Sequence, residues 1–203
     1  MLSADILVLN KENTDELAAA LKPEDIRLLI SMLNEKIDEI RYTAFLTLQK
    51  RSRLHRDVYP YWEELCIKLK NENSYQRSLG IMLLAENIRW DTENRLGRII
   101  ETYLLHCEDE KFITSRQTIQ SLKVWIADKP EYHELIIQKL INVDISSFKD
   151  SQRKLILMDI LGVLAVIQKS NPKDKILEYV NAVLTGEKLD KKSKAAVDQL
   201  FRK

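Results

Sequence analysis

Asp38–Leu48 reads DEIRYTAFLTL, and four later stretches repeat its layout: Ser74–Leu84 (SYQRSLGIMLL), Ile113–Lys123 (ITSRQTIQSLK), Asp150–Ile160 (DSQRKLILMDI) and Lys191–Phe201 (KKSKAAVDQLF). A basic residue stands fourth in each, so Arg41, Arg77, Arg116, Arg153 and Lys194 recur at intervals of 36, 39, 37 and 41 residues. Around these anchors apolar residues return every three or four positions, the period of an amphipathic helix, and alternation by twos is nowhere sustained. A helical repeat of this length marks a solenoid, in which each helix pair buries its apolar face only against its neighbours. The expected fold is all-α, a right-handed α-solenoid of about five antiparallel helix pairs.

The punctuation agrees. Pro23, Pro130 and Pro172 each fall where a helix begins, a position at which the missing N–H costs nothing. Asp57, Ser74, Asp91 and Asp150 are plausible N-caps. A short helix is expected near 14–21, followed by ten longer ones at about 23–34, 37–53, 58–71, 74–89, 92–107, 111–128, 131–142, 150–169, 173–185 and 191–202. Short connections make neighbours antiparallel. One domain over 1–203 is expected, with 1–22 as an N-terminal cap and repeats near 23–55, 56–90, 91–129, 130–171 and 172–203.

Composition narrows the classes. The 203 residues are 45% hydrophobic and 31% charged, inside the globular range, but contain only 4 glycines and 4 prolines. That scarcity disfavours sandwiches and glycine-rich phosphate-binding folds. Lys+Arg number 32 against 31 Asp+Glu, so a net charge of +1 supplies no global field toward nucleic acid or membrane. Two cysteines cannot staple a chain of this size, which points to a reduced setting. The opening MLSADILVLNKEN lacks the basic region and cleavage site of a signal peptide. The most apolar run, Leu155–Ile167, contains Asp159 and is shorter than the ~20 residues of a membrane span. A cytoplasmic protein, with no membrane partner and no cofactor, is the expectation.

The repeat resembles the HEAT-type repeats of the armadillo-like superhelical class. The resemblance covers residues 23–203 and rests on the two-helix unit, the short turn before the second helix, Asp three residues before the anchor in Asp38/Arg41 and Asp150/Arg153, and the small or aliphatic Ala44, Gly80, Ile119 and Ile156. Ser74 and Ile113 depart from the Asp position. The resemblance implies an Asp–Arg ladder joining successive turns and a concave surface lined by the second helices.

On a helix advancing 100° per residue, positions two, five and nine after each anchor point away from the core. They are Thr43, Leu46 and Lys50; Leu79, Met82 and Glu86; Thr118, Ser121 and Trp125; and Leu155, Met158 and Gly162. Apolar side chains there suit a groove for a protein partner, so Leu79, Met82, Trp125, Leu155 and Met158 are the candidate protein-binding residues. The bland reading, that a tightly curled array buries them, carries equal force. The expected function is therefore a non-enzymatic scaffold binding a protein or peptide segment.

A rival reading uses Lys50, Arg51, Arg53 and Arg56 in QKRSRLHR, beside Tyr59, Tyr61 and Trp62, to grip phosphate and stack a base. The cation preference of a helix C-terminus explains the same residues without a ligand. Trp125 and Asp128 faintly resemble the aromatic and acidic pair of alkylpurine DNA glycosylases, a HEAT-like family. Otherwise His55, His106 and His133 show no metal-ligand spacing, and Cys66 and Cys107 read as packing residues. No catalytic or metal site is expected.

Overall fold

A computed structural model describes residues 12–202. Among the described residues there are eleven α-helices and no strand. The all-α expectation holds, whereas the expected signal-free N-terminus lies outside the described residues apart from its last two positions. The chain divides into two compact units, Met1–Ile100 and Glu101–Lys203, and the division falls inside a helix rather than in a linker.

The first unit holds α1 (Thr14–Ala20), α2 (Pro23–Met32), α3 (Asp38–Leu54), α4 (Trp62–Lys68) and α5 (Ser74–Asn87), and ends in the first half of α6 (Arg95–Leu105). Pro60 lacks the N–H that would extend α4 backward, so Arg56–Tyr61 forms a tighter 3-10 turn instead. Helix α3 packs on α1, α2 and α5, and α5 packs on α4. Flanked on both sides, α5 is buried almost all round; Met82 alone in its second half is partly exposed. Gly80 is required there, because a Cβ would stand 2.9 Å from the Leu65 carbonyl oxygen.

In the second unit lie the rest of α6, then α7 (Phe112–Leu122), α8 (His133–Ile141), α9 (Asp150–Ser170), α10 (Asp174–Thr185) and α11 (Lys191–Phe201). Helix α9 packs on α7 and on α11, so three second helices lie side by side in chain order. Helix α7 ends earlier than its periodicity predicts. The N–H groups of Lys123, Val124 and Trp125 bond carbonyls three residues back, which tightens the chain into a turn before the 3-10 segment Ile126–Asp128.

The anchors behave differently from the ladder that the resemblance implies. Arg41 donates to the Glu35 carbonyl (2.8 Å), Arg77 to those of Asn71 (2.9 Å) and Glu72 (2.8 Å), and Arg153 to those of Ser146 (2.8 Å) and Phe148 (2.9 Å). Each satisfies carbonyls of the turn just before its own helix, where orphan acceptors would otherwise be buried. A five-donor guanidinium reaches several at once, which explains the recurrent arginine. Arg116 is the exception: it bonds Asp159 on α9 through Nε (2.6 Å) and Nη2 (3.3 Å), and Gln120 joins the same carboxylate at 2.9 Å.

Arg116→Ala therefore breaks a connection between α7 and α9 and leaves a carboxylate, whose residue is 8% exposed, with Gln120 but no counter-charge. A loss on the order of 2 kcal/mol is expected. Lys175→Ala, which touches only an exposed 4.0 Å pair with Glu134, should cost well under 1 kcal/mol. Equal denaturant midpoints for the two variants contradict this assignment.

Candidate functional site

The basic cluster of the first unit is largely paired with acids of the same unit. Arg51 is 5% exposed, forms a two-nitrogen pair with Asp57 (2.6 and 3.0 Å) and donates to the Ala18 carbonyl at 3.0 Å. Arg53 grips the buried Glu86 at 2.5 and 3.0 Å, and that carboxylate raises its pKa further. Lys50 pairs with Asp15 and donates to Thr14 Oγ1 at 2.7 Å, tying α3 to α1. Arg56 is exposed, its guanidinium carbon 5.2 Å from the Tyr59 ring centroid. Tyr59 and Trp62 are 2% and 1% exposed, and the Tyr59 hydroxyl donates to Asp91 at 2.8 Å, so neither ring offers a face to a base.

Of the expected phosphate-gripping residues Lys50, Arg51, Arg53 and Arg56, the first three are each paired with an acid, and Arg53 and Arg56 are exposed. DNA affinity in the sub-micromolar range should be absent at 150 mM salt, because few cations remain to displace phosphate counterions. Tight, salt-sensitive binding of a duplex that disappears in Arg51→Glu/Arg53→Glu, with folding retained, reverses this conclusion.

Thiol and imidazole chemistry fares no better. Burial pushes the Cys66 and Cys107 thiols up to about 12, far from the thiolate form a nucleophile needs. His106 Nδ1 lies 3.0 Å from Asp109 Oδ2, and buried His133 bonds the Ile126 carbonyl through Nε2 at 2.8 Å. Among the described residues no group of His, Cys, Asp or Glu is placed to hold a metal, and no helix is long and apolar enough to cross a membrane.

The expected apolar groove separates into buried and surface parts. Leu79 is 1% exposed because α5 is covered on both sides. Trp125 is 1% exposed and sits edge-on to Tyr103 and Tyr132, with ring centroids 6.3 and 6.2 Å away. Leu79 and Trp125 therefore leave the candidate binding set. Met82 is half-buried.

Leu155 and Met158 remain, one turn apart on α9, the first 41% exposed and the second half-buried. A cavity of about 310 Å³ adjoins another side of α9, where Asp150, Arg153, Lys154 and Leu157 meet Ile145 and Lys188. Its apolar floor comes from α9 and the turn before it, and Lys188 arrives from the loop between α10 and α11. Lys154 Nζ pairs with Asp190 at 2.5 Å, and Asp190 also caps α11 by accepting from Ser193 N–H at 2.8 Å. On the face of Leu155 and Met158, Gly162 leaves room for the Lys123 ammonium, which a Cβ would strike.

Family models, curated proteins and solved structures contain no match to this chain. The site is therefore judged by its own chemistry. The strip is apolar at its centre, at Leu155 and Met158, and has lysines at its ends, at Lys123 and Lys154. Sequence periodicity points Leu155 and Met158 away from the core, and the first is exposed and the second half-buried. It missed Arg153, Lys154 and Lys188 as neighbours of one cavity; the only available signal was the lysine-rich run around Lys188 and Lys191, which resembles an ordinary solvated end.

Proposed function

We propose that the chain is a non-enzymatic scaffold of the HEAT-like type, a right-handed α-solenoid working in the cytoplasm, which holds a segment of a partner protein along α9. Supporting the repeat reading is the side-by-side packing of α3 with α5, and of α7, α9 and α11, in chain order within their units. The observation that carries the binding reading is that Leu155, 41% exposed, and the half-buried Met158 lie one turn apart on the same face of α9. A soluble surface normally presents polar groups at such positions, and a leucine there is left exposed at a cost unless something covers it.

The experiment is a capture from lysate on immobilised wild-type chain and on Leu155→Glu. Placing a carboxylate on this face should remove most of the captured partner, a tenfold loss or more in affinity, because the covering apolar surface would have to desolvate it. Thermal unfolding should hardly change, since the position is exposed. Identical recovery by the two proteins overturns the assignment of the binding face.

A further inference from the structure

We infer that the segment held along α9 is an acidic amphipathic helix, whose carboxylates, about two turns apart, engage Lys123 at one end and the Lys154/Lys188 corner at the other. This inference rests on the binding reading above and adds the chemistry of the partner. Its first support is the charge left over on this face. Three nearby acids are already committed: Asp159 to Arg116 and Gln120, Asp150 to Arg153, and Asp190 to Lys154 and the first turn of α11; a fourth, Glu187, is exposed next to Lys188. Among the described residues, Lys123 and Lys188 have no such partner, and both are exposed. Lys123 at one end, and at the other Lys188 with the exposed Lys191 and Lys192 of the same segment, outnumber Glu187, so the excess charge is positive and favours a negatively charged occupant.

Spacing supplies the second support. Lys154 and Met158 are four residues apart, as are Met158 and Gly162, so they form one row along the helix, with Leu155 flanking Met158. From Lys154 to Gly162, where the Lys123 ammonium rests, eight residues rise about 12 Å. A partner helix laid along that row places carboxylates about seven residues apart over the two basic ends, and apolar side chains three and four residues further along between them over Leu155 and Met158.

The probe is a fluorescein-labelled helical peptide of about 15 residues, with two glutamates seven residues apart flanking a pair of leucines. Control peptides carry glutamine or lysine in place of both glutamates. Titrated against the full chain at low salt, the glutamate peptide should bind about tenfold tighter than the glutamine peptide. That preference should vanish in Lys123→Gln/Lys188→Gln and reverse toward the lysine peptide in Lys123→Glu/Lys188→Glu. The milder pair keeps the test decisive if the charge reversal impairs folding.

Equal binding of the glutamate and glutamine peptides, with both abolished by Leu155→Glu, overturns the charge inference and leaves the apolar binding face standing. A glutamate preference that survives both double variants also overturns it. Absence of binding by every peptide defeats both the inference and the reading beneath it.

Discussion

Trp125→Ala should destabilise the protein by about 3–5 kcal/mol, the range for removing a large aromatic side chain from a packed interior. The indole is 1% exposed and meets Tyr103 and Tyr132 edge-on, so its deletion empties a volume that two rings help to line. Trp125→Phe should behave differently. The indole Nε1 is buried without a hydrogen-bond partner, so phenylalanine forfeits no bond, removes a desolvated donor and costs under about 1.5 kcal/mol. Urea titration of the three proteins, with burial of the remaining chromophores followed by fluorescence, orders them wild type, Trp125→Phe, Trp125→Ala. An unchanged midpoint for Trp125→Ala would return this residue to the binding surface.

Why the sequence misplaces Trp125 is instructive. Position nine after an anchor points away from the core only while the helix continues, and α7 stops at Leu122. Nothing in QSLKVWIAD announces the stop: there is no glycine at the expected C-terminal position and no proline until Pro130. Leu79 is misplaced for another reason. Its angle on α5 is as predicted, but α3 and α4 pack on that helix and cover nearly all of its side chains, Leu79 included.

Helix identity and approximate bounds, by contrast, are legible, because apolar spacing and the prolines at Pro23 and Pro130 are local signals. The recurrent arginines are legible as a repeat but not in their role, since the carbonyls they bind belong to turns whose geometry no propensity describes. The cavity beside α9 is least legible of all. Its lysines come from α9 and from the α10–α11 loop, and only packing brings them together.

The second large effect concerns pH and a lysine that sequence reading passed over. Lys68, at the end of α4, is 7% exposed, and its ammonium donates to Asn34 Oδ1 at 2.8 Å and Gln76 Oε1 at 2.5 Å. Gln76 in turn donates to the Leu33 carbonyl at 2.8 Å, so the ends of α2 and α4 and the start of α5 meet at this amine. Its two acceptors are neutral amides. Burial lowers its pKa from 10.5 to about 8, against a smaller opposing pull from Glu64. Below pH 8 the folded and unfolded chains both carry the charge, and the full cost of burying it stands. Between about 8 and 10.5 the unfolded chain holds a proton that the folded chain has released, so stability rises with pH through that window. At 1.36 kcal/mol per unit the gain is about 3 kcal/mol. The thiols of Cys66 and Cys107, raised to about 12, work in the opposite direction above pH 9, where the unfolded chain loses protons that the folded chain keeps. The measurement is therefore a difference between wild type and Lys68→Met, which shares those thiols. Lys68→Met leaves Asn34 and Gln76 without a donor, but that penalty does not vary with pH. Unfolding free energies from urea titrations at pH 7, 8, 9 and 10 should show wild type gaining steadily on Lys68→Met above pH 8, and a difference that stays flat across the series shows that the folded chain keeps its proton on this amine.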